Sequence, residues 1–76
     1  HVVMTYEDRP GIVAIYGRAL GEADINIAGM QIARTNAGGK ALSILTIDQA
    51  APEALLAEIG DAIEADSIRQ IDIVEL

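Results

Sequence analysis

The turn at residues 6–11 holds the residue types best suited to bind a small charged ligand, in the order Tyr6-Glu7-Asp8-Arg9-Pro10-Gly11. It falls where an apolar strand gives way to an amphipathic helix. Pro10 has its φ preset for a first helical turn, and the Asp8 carboxylate can accept hydrogen bonds from the free amides there. Gly11 lets another group approach the backbone closely. Because a helix N-terminus offers free N–H groups and the positive end of the helix dipole, we expect this turn to bind a small anion such as a carboxylate.

Asn26 and three residues of the turn, Tyr6, Asp8 and Arg9, are weighed between a role in ligand binding and a structural role. Asn26 is unusual inside a strand, and it either faces water on an edge strand or offers an amino acid both a donor and acceptors. Tyr6 either packs in the core or reaches a ligand with its hydroxyl. Arg9 points outward to solvent, to Glu7 or to a neighbouring chain. For Asp8, helix capping competes with pairing to a ligand ammonium group.

Two amphipathic helices are predicted, with their apolar positions at helical spacing. The first covers residues 10–23, and its stripe is Ile12, Ile15, Tyr16, Ala19, Leu20 and Ala23. Asp24 follows at a position that often needs a positive φ. The second opens at Ala50-Ala51-Pro52, and its apolar face holds Leu55, Leu56, Ile59, Ala62 and Ile63. The acidic residues of its other face lack metal-ligand spacing and are interpreted as solvated.

Four strands are predicted, over residues 2–6, 25–35, 41–48 and 68–76. The Asn36-Ala37-Gly38-Gly39 cluster is typical of a hairpin turn between the second and third. The third strand is apolar on both faces, so we expect it in the middle of the sheet. The order β-α-β-β-α-β predicts an α+β, ferredoxin-like fold. Four antiparallel strands carry both helices on one face, with the first and third strands inside and the other two as edges.

Composition excludes several classes of function. A net charge of −7, from twelve acidic and five basic residues, argues against binding to nucleic acid or to anionic membranes. The chain has no cysteine, which excludes disulfides and thiol chemistry and fits a reducing compartment such as the cytoplasm. No Ser-His-Asp set, carboxylate pair or metal cluster is arranged for catalysis. With 76 residues, a single thin core favours association with a second copy. Because the chain begins at His1, we expect it to be a piece of a longer protein.

The strand–turn–helix segment Tyr6-Glu7-Asp8-Arg9-Pro10-Gly11-Ile12-Val13 resembles the first turn of ACT domains. The stretch Leu20-Gly21-Glu22-Ala23-Asp24-Ile25-Asn26-Ile27-Ala28 also resembles the point where their second strand begins. The resemblance covers essentially the whole chain, and it is greatest to the C-terminal ACT domains of D-3-phosphoglycerate dehydrogenases, particularly the long bacterial form. The D-R-P-G turn is shared by many ACT domains. The I-N-I-A sequence, at the expected distance after that turn, narrows the resemblance to the ACT domains of these dehydrogenases.

The resemblance implies a regulatory domain that senses a small amino acid. For these dehydrogenases the ligand is L-serine, the end product of the pathway, acting as a feedback inhibitor. The implied ligand-binding residues are Tyr6, Asp8, Arg9, Pro10, Gly11, Ile12, Asn26 and Ile27. No catalytic residue, metal or cofactor is implied for this chain, since NAD and the catalytic domains belong to the parent enzyme.

The predicted topology separates Asp8 from Asn26. Asp8 follows the first strand, whereas Asn26 begins the second, parallel strand at the opposite end of the sheet. A strand of five or six residues spans ~17–20 Å, so one chain cannot bring both side chains to a ligand as small as serine. Antiparallel pairing of two copies through the exposed second strand would bring the partner's Asn26 to the Asp8 end. We therefore expect a homodimer with one continuous sheet and two shared sites.

Two other functions remain open from the sequence. A small ferredoxin-like enzyme such as an acylphosphatase would need an Arg in a phosphate-binding loop, and the only candidate is Arg9 in an acidic turn. The second is a purely structural dimerisation module with a vestigial site. Ligand identity also stays open, because other ACT domains bind other amino acids.

Overall fold

The computed structural model describes residues 1–34 and 39–71. The elements are β1 (Val2–Glu7), α1 (Ile12–Glu22), β2 (Ile27–Arg34), β3 (Lys40–Ile47), α2 (Glu53–Ile63) and β4 (Ser67–Gln70). None of the helices in these ranges is long and apolar enough to cross a membrane. The predicted β-α-β-β-α-β order is confirmed.

The four strands form one antiparallel sheet in the order β2-β3-β1-β4, which confirms the expected topology. Register places Tyr6 of β1 and Arg34 of β2 on opposite sides of the same β3 residue, Ala41. The C-terminal ends of β1 and β2 therefore lie at the same end of the sheet, and this alignment brings together the residues of the candidate site. The start of β2 is level with the end of β3, where Ile27 pairs with Ile47.

Both helices pack on one face of the sheet, and the core lies between the helices and the sheet. Its largest members come from β1, β3, α1 and α2: Val2, Met4, Tyr6, Ile12, Tyr16, Leu20, Leu45, Leu56, Ile59 and Ile63. Buried Ser43 shares a hydrogen bond with the Tyr16 hydroxyl, with 3.3 Å between the two oxygens. The helix-free face is less well covered, and Leu42 is 39% exposed there. The third strand is therefore central, as predicted, although its two faces are not equally buried.

The predicted helix and strand limits need correction at their ends. Helix α1 begins two residues late, because Gly11 takes a left-handed backbone (φ 90°) and serves as its N-cap. Helix α2 begins after Pro52, whose ψ of 142° is extended. Asp24 does have the predicted positive φ, 59°. Three apolar positions assigned to the buried helix stripes are exposed: Ile15, Ala23 and Ala62.

Strand β2 begins at Ile27, so Ile25 and Asn26 form its approach. Buried Ile25 donates its backbone N–H to the Leu20 carbonyl at 2.9 Å, which fixes the chain just past α1. The predicted last residue of the second strand, most of the 36–39 turn, and the last strand beyond Ile71 lie outside the described residues.

Candidate functional site

The turn between β1 and α1 is fixed by backbone contacts. The Asp8 N–H donates to the Gly39 carbonyl at 2.8 Å, which ties the turn to the start of β3. The first helical hydrogen bond runs from the Ile15 N–H to the Gly11 carbonyl at 3.2 Å. No side chain of the described residues caps α1, and the first-turn amides therefore remain available to a ligand.

Asp8 does not cap α1, and the capping interpretation was wrong. The left-handed turn at Gly11 moves the helix start away, so that Asp8 lies three residues before the N-cap. Its carboxylate instead pairs with Arg34, with 3.2 Å between Oδ2 and Nε. The Asp8 side chain is only 18% exposed, against 63% for Arg34. This pair joins the end of β1 to the end of β2.

Arg34, which pairs with Asp8, was not among the predicted site residues. The signal was present in the topology, because a central third strand aligns the ends of the first and second strands. The register of the hairpin decides which β2 residue reaches Asp8, and the sequence pattern left that register unspecified.

A cavity of about 290 Å³ lies between this turn, the first turn of α1 and the end of β2. Its charged residues are Asp8, Arg9 and Arg34, and its other walls are mainly apolar, including Ile12 and Ile32. Small-molecule sites span roughly 300–1,000 Å³, so this cavity suits a ligand at the small end of that range. Six of the eight predicted site residues line it together, namely Tyr6 and the run from Asp8 to Ile12.

Tyr6 is a core residue that also borders the cavity. It is 2% exposed, and its ring centroid lies 6.5 Å from that of Tyr16. Burial of the hydroxyl, followed by the nearby Tyr16, raises the pKa of Tyr6 to about 12. At neutral pH the side chain is therefore an uncharged phenol.

Arg9 reaches the C-terminal end of α2. Its Nη2 donates to the Ile63 carbonyl at 2.7 Å and lies 3.6 Å from the Glu64 carboxylate, while Nη1 is 3.5 Å from the Glu7 carbonyl. A guanidinium at a helix C-terminus satisfies an end carbonyl and complements the dipole. Arg9 thus links the turn to α2 within the same chain, so the prediction that it points outward to solvent was wrong. Its contact with Glu7 is to the backbone carbonyl.

Asn26 and Ile27 lie at the opposite end of β2. Asn26 donates through Nδ2 to the Asp48 carboxylate at 3.0 Å, and its backbone carbonyl accepts from the Asp48 N–H at 3.1 Å. The eight residues of β2, at a rise of ~3.3 Å each, separate Ile27 from Arg34 by about 23 Å. Within one chain, Asn26 therefore cannot share a small ligand with Asp8, as the topology predicted.

The edge of the sheet at β2 carries apolar surface on its helix-bearing side. Met30 is 47% exposed and Ile32 is 36% exposed, although both pair with buried β3 residues. Val13 of α1 is also 42% exposed and lines the cavity with Ile32. Apolar side chains beside an unpaired strand edge are typical of a surface that another chain covers.

The model of the ACT domain family matches residues 1–64. The chain is an ACT domain. It is similar to D-3-phosphoglycerate dehydrogenases, with 33% identity to that of Bacillus subtilis over 95% of this chain. Identity is 31% over 97% of the chain for the Methanocaldococcus jannaschii enzyme and 41% over 71% for that of Synechocystis. The chain spans only 14% of the length of the first two relatives.

A solved structure of an unknown protein from Galdieria sulphuraria supports the same fold. Its TM-score is 0.74 at 20% identity, and the match covers 99% of this chain and 45% of that one. At this identity the likeness establishes the fold alone. The ACT assignment therefore depends on the family match.

Proposed function

We propose that this ACT domain senses a small amino acid, with L-serine the leading candidate, and that it regulates an attached D-3-phosphoglycerate dehydrogenase. The observation that carries the proposal is the cavity at residues 8–12, which combines a carboxylate with the open amides of a helix N-terminus. The similarity to such dehydrogenases over nearly the whole chain supports the identity of the parent enzyme. In this proposal the chain is one part of a longer enzyme, whose other domains bind NAD and carry out the reaction.

The two charged ends of an amino acid have separate partners in this arrangement. The ligand carboxylate accepts from the amides at Gly11 and Ile12, and the ammonium group donates to Asp8. Tyr6, Pro10 and the aliphatic part of Arg9 form the surrounding wall. Because the cavity is small, a short side chain such as that of serine fits better than an aromatic one.

The second half of the site comes from a partner subunit. Two copies paired antiparallel through β2 would bring the partner's Asn26 and Ile27 to the Asp8 end, since the two ends of β2 exchange places under a two-fold axis. The amide of that Asn26 offers the ligand a donor and an acceptor. The open edge of β2 and the exposed Met30 and Ile32 support this pairing.

Ligand binding between two subunits couples to their association. A ligand that contacts both chains binds the dimer more tightly than the monomer, and by linkage it strengthens dimerisation by the same factor. A tighter interface can restrain the domains attached to each subunit. This is the proposed physical route from the metabolite to a distant active site, and it requires only a difference in binding free energy between the two states.

Calorimetric titration of the domain with a panel of L-amino acids tests the proposal. We expect L-serine to bind, and Asp8→Ala and Asn26→Ala each to weaken it about ten- to a hundredfold, since losing a charged hydrogen-bond partner costs ~1.5–3 kcal/mol. Arg18→Gln, which alters an exposed helix ion pair outside the lining of the cavity, is the matched control. Unchanged serine affinity in both site variants would show that this site is wrongly assigned.

Sedimentation with and without saturating serine tests the coupling. The dimer dissociation constant should fall when serine is present. An equal value would remove this interface as the means of regulation. A domain that dimerises but binds no amino acid would instead be the structural dimerisation module.

A further inference from the structure

We propose that Arg34 binds the carboxylate of the amino-acid ligand, so that Asp8 and Arg34 together form a receptor for a zwitterion. In the free domain the two side chains neutralise each other, and the ligand exchanges into their ion pair. The inference rests on the proposed function, and it adds a specificity-determining residue to the same site. It also predicts that the ligand must carry both an ammonium group and a carboxylate.

The Asp8–Arg34 ion pair lies in the cavity itself. Both residues line the 290 Å³ cavity, and their contact atoms lie 3.2 Å apart. Most of the remaining wall is apolar, with Ile12 and Ile32 among its members. An anion and a cation side by side in such a setting match the two charges of an α-amino acid, which are attached to a single carbon.

The Asp8 carboxylate is largely buried beside Arg34. Among the ion pairs of the described residues, Asp8 is the least exposed carboxylate at 18%, whereas the acids paired with Arg9, Arg18 and Lys40 are 48% exposed or more. A half-desolvated carboxylate is costly to leave without a partner. A ligand that displaces Arg34 from Asp8 must therefore replace it with another cation.

The exchange keeps the number of charges balanced. The ligand ammonium group takes the place of Arg34 beside Asp8, and the ligand carboxylate takes the place of Asp8 beside Arg34. One charge-assisted contact becomes two, and the net charge of the four groups stays at zero. A ligand with only one charge would leave Asp8 or Arg34 without its partner.

The guanidinium of Arg34 is suited to this role. It contacts Asp8 through Nε, and a guanidinium has five N–H donors in a rigid planar fork. That fork binds carboxylates with two parallel hydrogen bonds, which a lysine ammonium group cannot do. Arg34 and the Gly11 and Ile12 amides can serve the same ligand carboxylate, because it has two oxygens and several acceptor positions.

Calorimetry with two probes and three variants tests the inference. L-serine and L-serinamide differ in the carboxylate, since the amide keeps the ammonium group and the side chain. Arg34→Gln should weaken L-serine about ten- to a hundredfold. It should leave the weaker affinity for L-serinamide undiminished or raise it, because the ammonium group no longer has to displace Arg34 from Asp8. Arg34→Lys keeps the charge without the fork and should fall between Arg34→Gln and the unmodified domain. Arg18→Gln is the control for loss of a charge, and it should change neither affinity.

The outcomes separate this inference from the proposed function. If the unmodified domain binds L-serine and Arg34→Gln binds it equally well, the site stands and the role of Arg34 is wrong. If Arg34→Gln weakens both probes to the same extent, Arg34 only maintains the shape of the cavity, which also refutes the inference. If the unmodified domain binds no amino acid, the proposed function fails and the inference fails with it.

Discussion

Gly11 offers a prediction in which one substitution has opposite effects at two positions of the same helix. Gly11 has a φ of +90°, and a Cβ added there would meet no other atom within 4 Å. Gly21 lies inside α1 with an ordinary φ, and an added Cβ there also meets nothing within 4 Å. Replacement by alanine therefore changes only the backbone free energy at both positions, with no effect from packing.

The sign of the effect follows from the backbone conformation. At Gly11 an L-residue incurs about 1–2 kcal/mol of left-handed strain, of which about 0.4–1 kcal/mol is offset because alanine restricts the unfolded chain. Gly11→Ala should therefore lower the free energy of unfolding by about 1 kcal/mol. Gly21→Ala should raise it by about 0.5–1 kcal/mol, because alanine is the better residue inside a helix.

Urea unfolding at one fixed protein concentration measures both changes, since association with a second copy would make stability depend on concentration. The two variants should differ by about 1.5–2 kcal/mol at an unchanged m value. In a domain of this size that is a difference of roughly 6–16 °C in midpoint temperature. A Gly11→Ala variant at least as stable as Gly21→Ala would refute the left-handed cap at Gly11.

Two further predictions concern the buried hydroxyls. Ser43→Ala and Tyr16→Phe should each lower the free energy of unfolding by about 1 kcal/mol. The double variant should lose less than the sum of the two, because the two oxygens share one hydrogen bond. Additive losses in urea unfolding would contradict this. For Tyr6, the pKa of about 12 in the folded state exceeds the value of ~10 in the unfolded chain. The unfolded chain therefore loses the Tyr6 proton first, and the free energy of unfolding falls as the pH rises from 10 to 12. That decrease is about 2–3 kcal/mol, and Tyr6→Phe should reduce the decline in unfolding free energy over this range.

The fold could be predicted from sequence because each element has a local signal. Apolar spacing identified both helices, and the position of Asp24 after α1 was enough to predict its positive φ. The topology followed from the element order, because right-handed crossovers and one hairpin leave few arrangements. Helix limits were less accurate, since the fixed φ of proline suits a first helical turn, yet Pro10 lies before the N-cap of α1 and Pro52 is the N-cap of α2.

The site was only partly predictable, because its contacts depend on distant partners. The 6–12 turn was found by its residue types, and the separation of Asp8 from Asn26 followed from topology. The pairing of Asp8 with Arg34 depends on strand register, and the contact of Arg9 with Ile63 depends on how α2 packs beside the turn. Neither register nor helix packing is encoded in a local pattern of residues.

Mixing two inactive variants tests most directly the central claim that each site takes residues from two chains. Asp8→Ala and Asn26→Ala homodimers should each bind L-serine at least tenfold more weakly. After subunit exchange in an equal mixture, about half of the dimers contain one chain of each variant. Each of these has one intact site, made by the Asp8 of one chain and the Asn26 of the other, and one site that lacks both residues. About one quarter of the original tight binding capacity therefore returns. Calorimetry measures this capacity as the number of tight sites per chain. Recovery of about one quarter would support a site shared between subunits, whereas no recovery in a mixture shown to exchange subunits would contradict it.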